Sequence, residues 1–129
     1  MFSINPERPD EAAAIESLLD RAFGADRQGK TAYRYRDGVP PIRALCFTAY
    51  DETETLVGTV RHWPLAVDPG PLSAVLLGPI AVEPGRRGVG IGDGLMRRSL
   101  MEAGRLGYEV CVLVGDAPYY GRFGFRLAR

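Results

Sequence analysis

Apolar residues recur at helical spacing in two stretches of this chain, and alternate or run unbroken in several others. The first helical stretch, DEAAAIESLLDRAF from Asp10 to Phe23, sets Ile15, Leu18, Leu19, Ala22 and Phe23 on one stripe behind an acidic first turn. That spacing predicts an amphipathic helix, which Gly24 ends. The second, IGDGLMRRSLMEAGRLG, carries Ile91, Leu95, Met96, Leu100, Ala103 and Leu106 on one face and stops at Gly107. Strands are predicted at FSIN, at LSAVLLGPIAV and at YEVCVLVG, the last apolar from Val110 to Val114 as in a strand buried on both faces. IRALCFTAYD and TLVGTVRHWPLAV read as two further strands, a hairpin across the polar turn Asp51 to Thr55. Within LSAVLLGPIAV the Gly78-Pro79 pair predicts a bulge or kink, because proline brings no N–H to the ladder. QGKTAYRYRDG suggests a short second helix, broken by Gly38 to Pro41. DAPYYGRFG suggests another, with Asp116 as its cap and Pro118 near its start, and FRLAR begins a further strand.

The resulting order, β-α-(α)-β-β-β-α-β-α-β, describes an α/β fold with a mixed central sheet, taken as one domain over residues 1–129. A chain of 129 residues has room for one core rather than two. Lys and Arg total 16 and Asp and Glu total 16, so the net charge is zero. That balance gives no basic footprint for nucleic acid and no polybasic membrane patch. The start, MFSINPERPDE, has no apolar leader, and no stretch approaches the ~20 apolar residues of a membrane span. Cys46 and Cys111 sit inside apolar runs and read as buried free thiols. A soluble cytoplasmic protein is expected.

Three segments compete as phosphate loops. GADRQGKT, Gly24 to Thr31, matches G-x-x-x-x-G-K-T letter for letter. Such a loop needs a strand before it and a helix after it, whereas this one follows an amphipathic helix whose end Gly24 marks. It reads as a chance match in a loop. The dinucleotide fingerprint G-x-G-x-x-G fails from Gly88, Gly90 and Gly92 in turn, since its third glycine falls on Asp93, Leu95 and Arg97. The remaining candidate is Arg87-Gly88-Val89-Gly90-Ile91-Gly92, an R-x-x-G-x-G segment between the strand LLGPIAV and an amphipathic helix. Small residues let a ligand approach, successive N–H groups point inward, and the helix dipole favours an anion such as a diphosphate. A tight strand-to-helix turn without a ligand would not need glycine at alternate positions together with Arg86 and Arg87.

LGPIAVEPGRRGVGIGDGLM, followed by VCVLVGDAPYYGRFGF, resembles the GCN5-related N-acetyltransferase (GNAT) superfamily, and the GD-x-x-YY-x-RFGF ending is similar to its YhbS-like branch. The resemblance covers Leu56 to Phe125 in sequence and the N-terminal region in general layout. It implies that Arg87, Gly88, Val89, Gly90, Ile91 and Gly92 hold the diphosphate of acetyl-CoA. It also implies that the backbone of Ile80, Ala81 and Val82 pairs with the pantetheine arm in a V-shaped opening beside the strand of Val110 to Val114. Tyr120 falls on the superfamily's active-site tyrosine and would be the general acid beside the CoA sulfur, with Tyr119 in reserve.

The implied reaction is direct attack of a primary amine on the acetyl-CoA thioester in a ternary complex, with no metal. The acceptor would be a small-molecule or peptide amine, without nucleic acid or membrane, and a free sheet edge would allow a homodimer. Members of the superfamily commonly place a glutamate base in the strand before the glycine loop, but Val75-Leu76-Leu77 is wholly apolar here. Glu83 and His62 remain as base candidates, beside a water relay or an amine that arrives neutral. Related proteins continue past the Gly-Phe segment with further strands. This chain stops at Arg129, so its C-terminal strands are expected to be short or missing, either in a short fold or through truncation. Two alternatives stand beside the enzyme: a non-catalytic acyl-CoA-binding module, and an acyltransferase with a larger acyl donor. A nucleotide triphosphatase built on Gly24 to Thr31 is the outlier.

Overall fold

The computed structural model describes residues 2–24, 40–65, 74–86 and 88–112. Among these, five strands form one sheet: β1 (Phe2–Pro6), β2 (Phe47–Asp51), β3 (Leu56–Leu65), β4 (Ala74–Val82) and β5 (Val110–Val112), in the spatial order β1-β2-β3-β4-β5. The first four pair antiparallel, and β5 runs parallel to β4. A parallel neighbour needs a long crossover, and the chain makes it through helix α2 (Ile91–Arg105). Helix α1 (Ala12–Phe23) lies between β1 and β2 in the chain. The predicted mixed sheet is therefore the observed one. The short helix expected within residues 28–38, and the helix and strand expected after Asp116, fall outside the described residues.

Each helix covers one face of the sheet. Under α2, Phe47, Ala49, Val57, Val60 and Leu77 pack with Ile91, Leu95 and Met96, and Phe2 and Ile4 close the edge. Under α1, Ile15, Leu18 and Leu19 pack on Leu56 and Ala81. Phe23 and Leu106, placed on the apolar stripes by periodicity, are exposed instead. Leu106 lies beyond the last helical residue, where the turn toward Gly107 carries it off the stripe. Val110, Cys111 and Val112 are half-buried rather than enclosed on both faces, because β5 pairs only with β4 among the described residues.

Two local differences from the sequence pattern have clear causes. The apolar run beginning at Ile42 does not enter the sheet until Phe47, because Arg43–Leu45 form a 3₁₀ turn. Its carbonyls are already spent on Leu45 N–H to Ile42 and Cys46 N–H to Arg43. The acidic first turn of the N-terminal helix is a 3₁₀ turn, Pro9–Glu11, and Glu11 is buried rather than solvated. Its carboxylate accepts hydrogen bonds from Arg8 N–H at 2.5 Å, Thr48 Oγ1 at 3.2 Å and the Tyr50 hydroxyl. Burial and this bond to Glu11 push the Tyr50 phenol up to about 12. Nearby, Glu7 takes Arg61 at 3.0 Å and Arg43 at 3.1 Å. A buried carboxylate is tolerated when donors surround it, so these contacts pin the chain before α1 onto β2 and β3.

Gly58 is where α2 comes closest to the sheet. A Cβ there would lie 2.9 Å from Ile91 Cγ2, 2.9 Å from Leu95 Cδ1 and 3.3 Å from Ala49 Cβ. Gly58→Ala should therefore overpack this core and destabilise the fold by about 1–3 kcal/mol in urea unfolding. A variant as stable as the parent would show that α2 is not seated against β3 at this distance.

Candidate active site

The glycine-rich segment bridges the end of β4 and the start of α2. Pro84–Arg86 form a 3₁₀ turn, with Arg86 N–H bonded to the Glu83 carbonyl at 2.8 Å. Gly88 and Gly90 then adopt φ of +88° and +91°. A Cβ at either would meet no atom within 4 Å. Crowding by the protein therefore does not select glycine here; the left-handed backbone does, and the space beside it is open. Gly90 is the N-cap of α2 and supplies no capping side chain. No side chain of the N-cap covers the first helical turn, whose N–H groups lie at the positive end of the helix dipole. Val89 is exposed, whereas the Ile91 side chain is buried in the core and ties the loop down. Gly92 already belongs to α2. Arg87, which leads the segment, lies outside the described residues.

The strand leading to this loop carries the expected irregularity. Val60 pairs with Ile80 and His62 with Leu77, so Gly78 and Pro79 stand unpaired opposite Arg61. The Gly78-Pro79 peptide is cis. The Trp63 indole N–H donates to the Gly78 carbonyl from the neighbouring strand, giving the bulged carbonyl a partner. On its other edge β4 pairs with β5 only at Ala74, Val75 and Leu76. Among the described residues, Ile80, Ala81 and Val82 bond only toward β3. They therefore present one free strand edge that leads to the glycine loop.

The other candidates fall in different surroundings. Glu83 follows β4, and Arg21 of α1 clasps its carboxylate through Nε at 3.0 Å and Nη2 at 2.8 Å. The same contact raises the Arg21 pKa. His62 is fully buried on β3 and shares the face of its partner Leu77. Neither ring nitrogen has a hydrogen-bond partner, and desolvation pushes its pKa down to about 4. It is therefore a neutral imidazole at pH 7. Tyr119 and Tyr120 lie outside the described residues, as does the Walker-like segment beyond Gly24. Burial raises the Cys46 and Cys111 thiols to about 11 and about 12, so both are unreactive thiols at neutral pH.

Sequence reasoning missed Asp51. This buried residue ends β2, and its Oδ1 accepts from Thr53 N–H at 2.9 Å, Thr53 Oγ1 at 2.6 Å and Thr55 N–H at 3.1 Å. Its Oδ2 takes the Arg86 guanidinium at 2.7 Å. These bonds, the Thr53 hydroxyl first, hold the Asp51 carboxyl below its ordinary pKa. The D-x-T-x-T spacing could have signalled the turn, but nothing local points to Arg86. Between the turn and the loop lies an open cleft of about 330 Å³, lined by Phe2, Asp51, Glu52, Arg86, Val89 and Ile91.

Residues 3–128 match the sequence model of a family described as an acetyltransferase (GNAT) domain. The chain is 34% identical over 126 residues to the uncharacterized N-acetyltransferase YhbS of Escherichia coli K12, covering 97% of this chain and 74% of that one. In structure it is similar to YhbS from Escherichia coli in complex with CoA, with a TM-score of 0.83 and 32% identity over 98% of this chain and 69% of that chain. It is also similar to a GNAT family acetyltransferase from Brucella melitensis in complex with acetyl-CoA, with a TM-score of 0.79 and 30% identity over 98% and 84% of the two chains.

The burial of His62 has a consequence for stability. Its pKa is about 4 when folded and 6.5 in the unfolded chain, so the unfolded state binds the extra proton. Stability contributed by the neutral ring is complete above pH 6.5, falls as the pH drops from there, and stops changing near pH 4. At pH 5 the loss relative to pH 7.5 should be roughly 2 kcal/mol in urea unfolding. His62→Leu should remove that part of the pH dependence; identical profiles for the two proteins would refute it.

Proposed function

We propose, from the premise that this chain belongs to the GNAT acetyltransferase family, that it transfers the acetyl group of acetyl-CoA to a primary amine by direct attack in a ternary complex. The observation that carries this reading is the left-handed Gly88–Gly90 turn at the uncapped start of α2, reached directly from the free edge of Ile80–Val82. The diphosphate would rest on N–H groups between Arg87 and Gly92, where an anion meets the helix dipole without a side chain in the way. The pantetheine amides would take the N–H and C=O groups that β4 offers beside the bulge. Two anchors so far apart along one flexible molecule would fix its thioester relative to the amine, and such orientation removes a large entropic part of the barrier.

In the transfer itself the amine nitrogen bonds to the thioester carbonyl carbon and the C–S bond breaks. The amine loses a proton, and the departing thiolate receives one from the Tyr120 hydroxyl as general acid. Glu83 is committed to Arg21 and His62 is enclosed beside Leu77, so deprotonation is assigned to a water relay or to an amine that arrives neutral. The acceptor class is a small-molecule or peptide amine.

Two variants separate binding from chemistry. Gly90→Val should weaken acetyl-CoA binding by an order of magnitude or more, because a β-branched residue does not adopt φ near +91° without strain. Tyr120→Phe should retain CoA binding and lose about 10²-fold in kcat, followed as free thiol released with a panel of amines. Unchanged turnover in Tyr120→Phe would remove Tyr120 from the mechanism. CoA binding with no turnover on any amine would replace the enzyme by an acyl-CoA-binding module.

A further inference from the structure

We infer that Asp51 and Arg86 form a strut from the β2–β3 turn that positions the glycine loop for the diphosphate, an inference that rests on the acetyl-CoA role proposed for that loop. Arg86 is the last residue of the 3₁₀ turn, two positions before the left-handed Gly88. Gly88, Val89 and Gly90 belong to no helix or strand, so the path of the loop depends on what holds its two ends. Ile91 anchors the far end in the core. At the near end the Arg86 N–H bonds to Glu83 within its own turn, while its guanidinium reaches across to Asp51 Oδ2 at 2.7 Å and lies 3.8 Å from Glu52 Oε1.

Asp51 suits this task because it is itself immobile. It is almost wholly buried, and its second oxygen is saturated by Thr53 and Thr55 of the hairpin turn. A carboxylate fixed by three donors on one oxygen offers the other in a defined direction, and a charge-assisted bond of 2.7 Å holds its partner there. The hairpin is in turn rooted in the sheet through the β2–β3 and β1–β2 ladders. The loop thus inherits its position from the sheet and not only from α2.

Simple electrostatics predicts the opposite sign for the decisive variant. Removing the Asp51 charge takes a negative group away from a site for an anion, and by charge alone CoA should bind more tightly. If Asp51 acts as a strut, binding weakens instead. Asp51→Asn keeps an oxygen for the Thr53 and Thr55 donors while giving up the charge on Arg86. Arg86→Gln cuts the same contact from a half-exposed residue outside the hairpin turn, but it also removes a positive charge. Arg86→Lys keeps the charge and loses the guanidinium geometry, so it tests the strut even if Asp51→Asn folds poorly: by charge alone it would bind CoA like the parent.

The experiment is titration of CoA into the parent, both single variants and the double variant, with steady-state kinetics on any accepted amine. Each single variant should bind CoA about five- to twentyfold more weakly, with the loss in KM for acetyl-CoA rather than in kcat or the amine KM. The double variant should be no weaker than the weaker single one, and Arg86→Lys should restore part of the loss. Unchanged or tighter binding in Asp51→Asn and Arg86→Gln, or losses that multiply in the double variant, would overturn the strut. A parent protein that binds no CoA would instead overturn the function proposed for the loop.

Discussion

A proline inside a strand cannot donate to its neighbour, and in β4 that constraint shapes everything downstream. Gly78 and Pro79 drop out of the ladder with β3, and the register resumes at Ile80 shifted past Arg61. The interruption would be costly if the bulged carbonyl stayed unpaired in a half-buried strand. The Trp63 indole supplies the missing partner. Past the bulge, Ile80–Val82 pair only with β3 among the described residues, and their other edge runs toward the glycine loop. The register of β3 with β4 and the approach to the loop both depend on this interruption and the side chain that caps it.

Much of this was legible in the sequence, because the strongest signals there are backbone signals. Proline in an apolar run forecasts a bulge wherever the strand lies, and alternating glycines before an amphipathic stripe forecast a tight turn into a helix. Ile15, Leu18, Leu19, Ile91, Leu95 and Met96 were fixed by spacing and are all buried. Context also rejected the Walker pattern at Gly24, where glycine ends α1 with φ of +93°. Local pattern failed where long-range contacts decide. Glu11 read only as a first-turn acid, yet it is buried, and three donors from Arg8, Thr48 and Tyr50 make that burial tolerable. Asp51 looked like a turn residue, and its second oxygen serves a loop 35 positions away in sequence.

The two base candidates show the same limit from the other side. A lone histidine in a strand and a glutamate after one are equivalent as letters. Folding separates them. Glu83 is drawn to Arg21 across the gap between β4 and α1, while His62 is enclosed beside Leu77 where its charge would be expensive. Burial moves His62 away from neutral pH, where a general base works best, and Glu83 is already engaged by a guanidinium. In the proposed reaction proton removal would therefore fall to solvent or to the chemistry of the amine itself, and the protein's share of the work would shift toward holding the donor.

That shift makes the rigidity of the holding parts matter more. When catalysis rests on orientation, an ångström of drift in a supporting loop can cost as much as a missing functional group. Both ends of the proposed donor site hang from the β2–β3 hairpin: Trp63 near the end of β3 secures the bulge, and Asp51 at the end of β2 reaches the loop through Arg86. The hairpin is in turn clamped by the β1 and β4 ladders and by the Glu7–Arg61 pair on its α1 face. Gly58, near the start of β3, lets α2 sit close enough for Ile91 to anchor the loop's other end. One hairpin therefore sets the spacing between strand edge and loop, and substitutions within it act on the site without touching a reacting atom.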